Sequence, residues 1–306
     1  MKQALGPIGL FLCVLAFGAP GAAAQGVRPE LGQARLFTND LIGDGHDRWR
    51  TGAYWVSSVR GAGWDGVLPT RMGDVMEYRF RGEVLSPANL NRPAAGDRLY
   101  AGVLSVGAHS HFQWSGFEMA VGADIVAMGE QTGVRRLQAG VHDLLSLQSS
   151  NVSNFQVDNG IFLHGTVEIG REMNVGPARV RPFVELQAGV ETMARVGMDV
   201  TFGNYGEGGL RLRDVTTGQR ISAIDSESDF GLSWVLGGDV AYVDSSHYLP
   251  SDRGYVLEDT RYRLRAGMNY AFGYSNVFYG LTYLSEEFVG QSSGQTVGSL
   301  TVALEF

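Results

Sequence analysis

Stretch after stretch of this chain alternates apolar and ionic side chains over about ten residues, and that pattern constrains the fold more than any motif. In 76–84, Met76, Tyr78, Phe80 and Val84 share one strand face, while Glu77, Arg79, Arg81 and Glu83 share the other. In 179–190, Val180, Val184, Leu186 and Val190 oppose Arg179, Arg181, Glu185 and Gln187. In 192–202, Val196, Met198, Val200 and Phe202 oppose Arg195, Asp199 and Thr201. In 261–272, Tyr262, Leu264, Met268, Tyr270 and Phe272 oppose Arg261, Arg263, Arg265 and Asn269. A soluble sheet would turn its apolar face inward and need a second layer to cover it. The simpler arrangement turns that face to lipid and pairs the charges inside a lumen. Tyr and Phe near strand ends fit interfacial girdles.

The chain stops on another alternating strand. Leu300, Val302, Leu304 and Phe306 point one way, and Thr301, Ala303 and Glu305 the other. A terminal strand must pair or leave an open edge, and a closed barrel removes the edge. Apolar outward and ending in Phe, this strand resembles the terminal signal of bacterial outer-membrane barrels. Candidate strands start near Ala34, Arg50, Val75, Arg98, Phe112, Gly160, Ala178, Thr192, Phe230, Glu258, Ser275 and Gln295. That makes about twelve, an even number as bacterial barrels require. The expected fold is all-β, a transmembrane antiparallel β-barrel in one domain over 25–306. Pro182 predicts a bulge or kink inside its strand.

Residues 1–24 read as a secretory signal peptide: Lys2 gives a positive start, Ile8 to Phe17 is apolar, and Ala22-Ala23-Ala24 offers a cleavage site. The apolar core is too short to span a bilayer. The single cysteine, Cys13, lies inside it, so the mature chain is expected to carry no disulfide and no cysteine metal site. Beyond that segment no long apolar run remains, and the mean hydropathy of -0.04 excludes a helical membrane protein. The 43 glycines, beside 44% hydrophobic residues, suit curved strands in which every second residue is apolar. A net charge of -8 argues against nucleic-acid binding and is compatible with cation-bridged contact to anionic lipid.

His109-Ser110-His111 and Gly273-Tyr274 read as short periplasmic turns. Longer links near 41–49, 87–97, 127–159 and 243–257 all fall on the outer side when the N-terminus is periplasmic. The polar, Gly-rich Asn204–Asp229 falls on the periplasmic side and has no assignable role. Within the third outer link, Val134, Leu137, Val141, Leu144 and Leu145 recur at helical spacing. They predict a short amphipathic helix over 135–147, with Gln138 and His142 one turn apart on one face.

The strand count places several polar residues on the outer rim. These are Asn39-Asp40, Asp47-Arg48, Thr51-Gly52, Ser86-Pro87, Arg92-Pro93, Gly96-Asp97-Arg98 and His142. Singly, each reads more simply as turn former or surface charge; their shared end lifts the joint reading. No Ser or Cys is visibly paired with a base, and no His-x-x-x-His occurs. What remains is a His base, a carboxylate, an amide, a hydroxyl and a cation. That set suits direct attack by water on an ester, with a hard cation such as calcium polarising the carbonyl.

Leu36-Phe37-Thr38-Asn39-Asp40 followed by Asp47-Arg48-Trp49-Arg50-Thr51-Gly52 resembles the opening of the outer-membrane lipid A deacylases, which remove the 3′-linked acyloxyacyl group. Ser86-Pro87 with Asp97-Arg98-Leu99-Tyr100-Ala101-Gly102 is similar to their second block, and Gln138 with His142 to their Gln-x-x-x-His helix. Ser285-Glu286-Glu287-Phe288 through Gly290-Gln291 and Gly298-Ser299-Leu300 resembles their last hairpin. The resemblance implies a twelve-stranded barrel in the bacterial outer membrane and calcium-dependent ester hydrolysis. Carried over by position, His142 is the general base, and Asn39 and Asp40 position the cation or the base. Thr51 hydrogen-bonds near the reacting carbonyl, and Arg92 falls where the family places a cation that stabilises negative charge. The implied metal ligands are Asn39, Asp40 and Gln148. Expected partners are lipid A or lipopolysaccharide, the outer-membrane bilayer and, during biogenesis, the barrel assembly machinery.

Two positions depart from the family pattern. Gln148 stands where the family has a Glu, and Ser150 where some members have a Tyr. An amide is a weaker ligand for calcium than a carboxylate. Asp143 and Asp158 are candidates for the missing charge. The departure favours an alternative, a non-catalytic barrel of the same family that binds lipid A or stabilises the membrane. A porin-like channel and a Ser–His–Asn phospholipase are the other rivals.

Overall fold

The computed structural model describes residues 28–144, 155–225, 230–272 and 275–303, with the side chains of Ala139 and of 141–144 outside the description. The leader with Cys13, Gln148, the pair Gly273-Tyr274 and the terminal 304–306 lie outside the described residues.

Twelve antiparallel strands form the wall. They are β1 (Glu30–Asn39), β2 (Trp49–Gly61), β3 (Val75–Ser86), β4 (Ala101–Trp114), β5 (Phe117–Met128), β6 (Gly160–Gly170), β8 (Ala178–Ala188), β9 (Glu191–Phe202), β12 (Gly231–Ser246), β13 (Thr260–Phe272), β14 (Ser275–Leu284) and β15 (Gln295–Ala303). Closure comes from β1 against β15, with Phe37 opposite Leu300, while β6 bonds to β8 across the intervening β7 (Met173–Val175). Among the described residues the twelve wall strands each pair on both sides, which leaves the wall itself without an open edge.

The alternation is read out as expected. Tyr78, Phe80, Leu186, Val196, Leu264 and Tyr270 are exposed on the outer face, and Leu163 reaches 72%. An apolar surface of that extent is stable against lipid rather than water. Their neighbours Glu77, Arg81, Glu185, Arg195, Asp199 and Arg265 are buried in the lumen. A buried charge without a partner costs several kcal/mol, and these are paired. Asp199 accepts from Arg265 Nε at 3.0 Å and Nη2 at 2.6 Å and from Arg213 Nη2 at 2.8 Å. Asp239 accepts from Arg263 Nε at 2.9 Å and faces Arg195 Nε at 3.1 Å.

Two local expectations are corrected. His109-Ser110-His111 is not a turn. It lies inside β4, where His109 Nε2 meets Asp124 at 3.0 Å and His111 Nε2 meets Glu77 at 2.9 Å in the lumen. The reversal comes at Ser115-Gly116, both at positive φ. Pro182 sits opposite Met198 with no register slip against β9. The irregularity lies in its other neighbour, which is interrupted between β6 and β7 where Pro182 has no N–H to offer. The expected helix, α1, starts at Val134 and is described to Leu144; its expected end at 147 lies outside the described residues.

The segment that had no assignable role fills the lumen. After β9 the chain turns back into the barrel as a hairpin, β10 (Leu210–Arg213) and β11 (Arg220–Ile224). Its turn is set by Asp214, whose Oδ2 accepts from the Thr217 N–H and hydroxyl, and by Gly218 at φ 71°. Leu212, Ile221 and Tyr205 pack with Leu36, Trp55 and Phe278 in a buried apolar cluster at the base of the barrel. A second cluster, including Leu85, Leu99, Val126 and Tyr248, closes the lumen toward the other end, the mouth. The mouth carries the links that follow β1, β3, β5, β12 and β14.

Candidate functional site

Asn39 ends β1, and its Oδ1 accepts the Leu41 N–H at 2.8 Å. The loop that follows winds around Asp40, which is 0% exposed. Asp40 donates its backbone N–H to the Thr51 carbonyl at 3.1 Å, and its carbonyl accepts from Gly43 and Gly45, each at 2.9 Å. Its Oδ2 accepts the Arg48 N–H at 2.7 Å and its Oδ1 accepts the Thr51 hydroxyl at 3.1 Å. Asp44 pins the same loop to β15 by accepting the Thr296 N–H at 3.1 Å.

Thr51 also bonds to Asp47 through the same hydroxyl oxygen. A hydroxyl has one proton, so it serves one carboxylate at a time. Burial pushes Asp40 up to about 8, with Asp47 and Asp44 adding to the rise against the Arg48 and Thr51 hydrogen bonds. At neutral pH the Asp40 carboxyl therefore keeps a proton, which relieves the crowding of charge around Thr51.

The strand that presents Thr51 is irregular. In β2, Arg50 stands opposite Leu85 but Gly52 opposite Val84, so Thr51 is the extra residue of a bulge. Trp49, just before it, is fully buried at φ 53°, a left-handed backbone that a bulky residue rarely adopts. The Arg48 guanidinium lies 4.4 Å from the Trp49 ring centre. Trp49 Nε1 and Ser86 Oγ, on paired positions of β2 and β3, are buried without a hydrogen-bond partner among the described residues.

Helix α1 is docked on the wall against β3 and β4. Gly102 makes room for it, since a Cβ there would stand 2.7 Å from Val134 Cβ. Tyr100 donates its hydroxyl to Gln138 Oε1 at 2.7 Å, and its backbone is held by Phe155 and Val157, each at 2.9 Å. Burial raises the Tyr100 pKa, Arg135 of the helix opposes the rise, and Asp47 adds to it. The helix is thus tied to Tyr100, and Asp47 of the loop acts on Tyr100 electrostatically. His142 is on α1 one turn after Gln138, with its side chain outside the description.

Of the expected site residues, the structure brings Asn39, Asp40 and Thr51 together. Arg92 stands exposed on the link after β3, where Asn89 Oδ1 accepts its N–H at 3.0 Å. Among the described residues no hydrogen bond or ion pair joins it to Asp40 or Thr51. Asp158 is taken up by Arg253 at 2.7 Å on exposed ground. Asp47 as second carboxylate, the Tyr100–Gln138 tether and buried Trp49 were missed as site elements, although their residues stood in the motifs.

The donors around Thr51 are hard oxygens, which suit calcium in kind. Among the described residues no group of three or more His, Cys, Asp and Glu side chains is arranged to hold a metal ion. A full shell would need amide, hydroxyl or carbonyl oxygens beside Asp40.

The family model described as "Outer membrane protein LpxR" matches residues 10–306. Among solved structures, LpxR from Salmonella typhimurium superimposes with a TM-score of 0.72 at 16% identity, covering 90% of this chain and 100% of that one. The β domain of the Bordetella autotransporter BrkA follows at TM-score 0.42 and 11% identity, covering 90% of this chain and 99% of that one. No curated protein matches in sequence. Closed wall, lipid-facing exterior and family match agree, and the chain belongs to the LpxR family of outer-membrane β-barrel proteins.

Proposed function

We propose that this protein is a lipid A deacylase, a carboxylic ester hydrolase that releases the 3′-linked acyloxyacyl group of lipid A in the outer leaflet. The observation that carries the reading is the Asp40–Thr51–Asp47 arrangement beside a helix tied down through Tyr100 and Gln138. His142 on that helix takes the proton of the attacking water. Asp40 and Asn39 hold the loop so that Thr51 faces the ester. Arg92, on a link of the same end, reaches developing negative charge from the exposed side. Asn39, Asp40 and Gln148 would hold calcium, which when bound supplies positive charge against the ester carbonyl.

A second reading, a non-catalytic member of the family, is favoured by one observation. Asp158, a candidate to replace the carboxylate missing at Gln148, is engaged by Arg253. Mass spectrometry of lipid A from cells expressing the chain, with and without a calcium chelator, separates the two. Loss of one acyloxyacyl group, abolished by His142→Ala, supports the deacylase. Unchanged lipid A supports the second reading.

A further inference from the structure

Arg50 and Thr51 are consecutive at the bulge of β2, yet their side chains have separate partners. Arg50 runs into the lumen, where Nη1 donates to Glu83 Oε1 at 3.1 Å, Nη2 to Glu191 Oε2 at 3.3 Å, and Nε to Glu287. Carboxylates from β3, β9 and the β14–β15 link thus occupy all three guanidinium nitrogens. Glu287 would be raised by burial, but Arg50 and Arg98 outweigh that and hold it well below the usual carboxylate range. The Arg50 N–H donates to Gln295 Oε1 at 2.9 Å, and Gln295 Nε2 donates back to the carbonyls of Arg48 and Arg50 at 3.2 and 3.3 Å. The bulge that offers Thr51 to Asp40 is therefore clamped from inside the barrel.

One corner of the clamp belongs to the lumen hairpin. Thr216, in the β10–β11 turn, donates its hydroxyl to the same Glu83 Oε1 at 3.0 Å and accepts from Arg81. Arg81 Nη2 in turn lies 2.8 Å from Glu83 Oε2. Thr216 and Glu83 are both buried, so no bulk water replaces a lost hydroxyl. Without the Thr216 hydroxyl, Glu83 is held by two guanidinium groups alone, and its Oε1 loses the neutral donor that helps aim it at Arg50.

We propose that Thr216 is a positioning residue for the site at the mouth. It orients Glu83, Glu83 orients Arg50, and Arg50 fixes the bulge that carries Thr51. The hairpin then acts as a prop beneath the site as well as a filler of the lumen. The catalytic half of this inference rests on the deacylase reading; the structural half does not.

Thr216→Val keeps the side-chain shape and removes the donor, and Thr216→Ser keeps the donor. Thr216→Ala gives the same loss without the β-branch, should the valine fail to fold. Hydrogen exchange on the full-length protein in detergent reads the amides of 47–52. The inference expects exchange there about tenfold faster in the valine variant, near wild type in the serine variant, and unchanged in β13 and β14. Alongside, kcat for lipid A deacylation falls with KM held, and serine restores it. Unchanged exchange at 47–52, or faster exchange spread evenly over the wall, overturns the inference. Faster local exchange with an unaltered kcat overturns it as well. Faster local exchange in a protein whose wild type removes no acyl group leaves the prop standing and overturns the deacylase reading alone.

Discussion

Tyr100 donates its hydroxyl hydrogen to Gln138 across 2.7 Å, and this bond ties helix α1 to the barrel wall over a separation of 38 residues. The tether is buried at its Tyr end, which is 0% exposed. A net hydrogen bond of this kind contributes about 1 kcal/mol, and an orphaned amide oxygen adds to the cost of losing it. Tyr100→Phe should therefore loosen α1 while the wall stays intact. Hydrogen exchange should quicken in 134–144, deacylation should drop several-fold, and the heat-resistant folded band on a denaturing gel should persist. Exchange confined to other segments would show that the helix is held elsewhere.

Asp40 carries a sign that can be measured. In the unfolded chain its carboxyl loses its proton near the ordinary value of 3.8, but burial pushes the folded value up to about 8. Between these limits the folded protein binds more protons than the unfolded one, so stability falls as pH rises. In chelator the melting temperature should be highest at the acid end of that window and decline toward its alkaline end. Asp40→Asn, which does not titrate, should flatten the decline. Calcium needs the carboxylate, so its stabilising effect should grow as pH rises through the same window. Equal slopes in wild type and Asp40→Asn would remove Asp40 as the buried acid.

Strand direction was legible because it depends on period two alone. Arg263 and Leu264 need no knowledge of the rest of the chain to be sent to opposite faces. Asn39, Asp40 and Thr51 were legible as a group because strand counting puts them at one end. The lumen hairpin was not. Leu210–Arg213 and Arg220–Ile224 are short, mix Arg with Leu and Ile, and gain meaning only from a lumen built by distant strands. His109-Ser110-His111 misled for a related reason: polarity suggested a turn, whereas Asp124 and Glu77 in neighbouring strands supply the partners. The positive φ of Trp49 leaves no mark in composition.

The loop that buries Asp40 depends on a glycine. A Cβ at Gly43 would stand 2.2 Å from the Thr296 carbonyl oxygen and 2.7 Å from Val297 Cα, both backbone atoms of β15. Neither can give way without breaking the strand. Gly43→Ala should push the loop off β15, weaken the Asp44–Thr296 contacts and cost about 1–3 kcal/mol. Limited proteolysis between β1 and β2 should speed up, and deacylation should fall. Unaltered proteolysis and activity would mean that the loop reaches its place without that close approach.

The hairpin settles whether a lumen lined with Arg and Glu conducts. Leu212 and Ile221 are sealed against Trp55 and Phe278 at the base, and Arg213 bridges Glu168 and Asp199 at 2.6 and 2.8 Å. Cavities of about 40 and 50 Å³ in the lumen, among the described residues, have room for isolated waters and not for a hydrated ion stream. An ion crossing would have to break several buried charge pairs in sequence. The wild-type protein should stay silent in planar lipid bilayers. Replacing residues 207–223 by a short Gly-Ser linker should produce discrete conductance steps, provided the folded band survives. The hairpin deletion also leaves Arg81, Arg263 and Glu83 without Thr216 and the backbone carbonyls they now use, so added salt should partly restore its lowered melting temperature. Porin-sized steps from the wild type, or silence from a folded deletion, would show that the hairpin is not what closes the barrel.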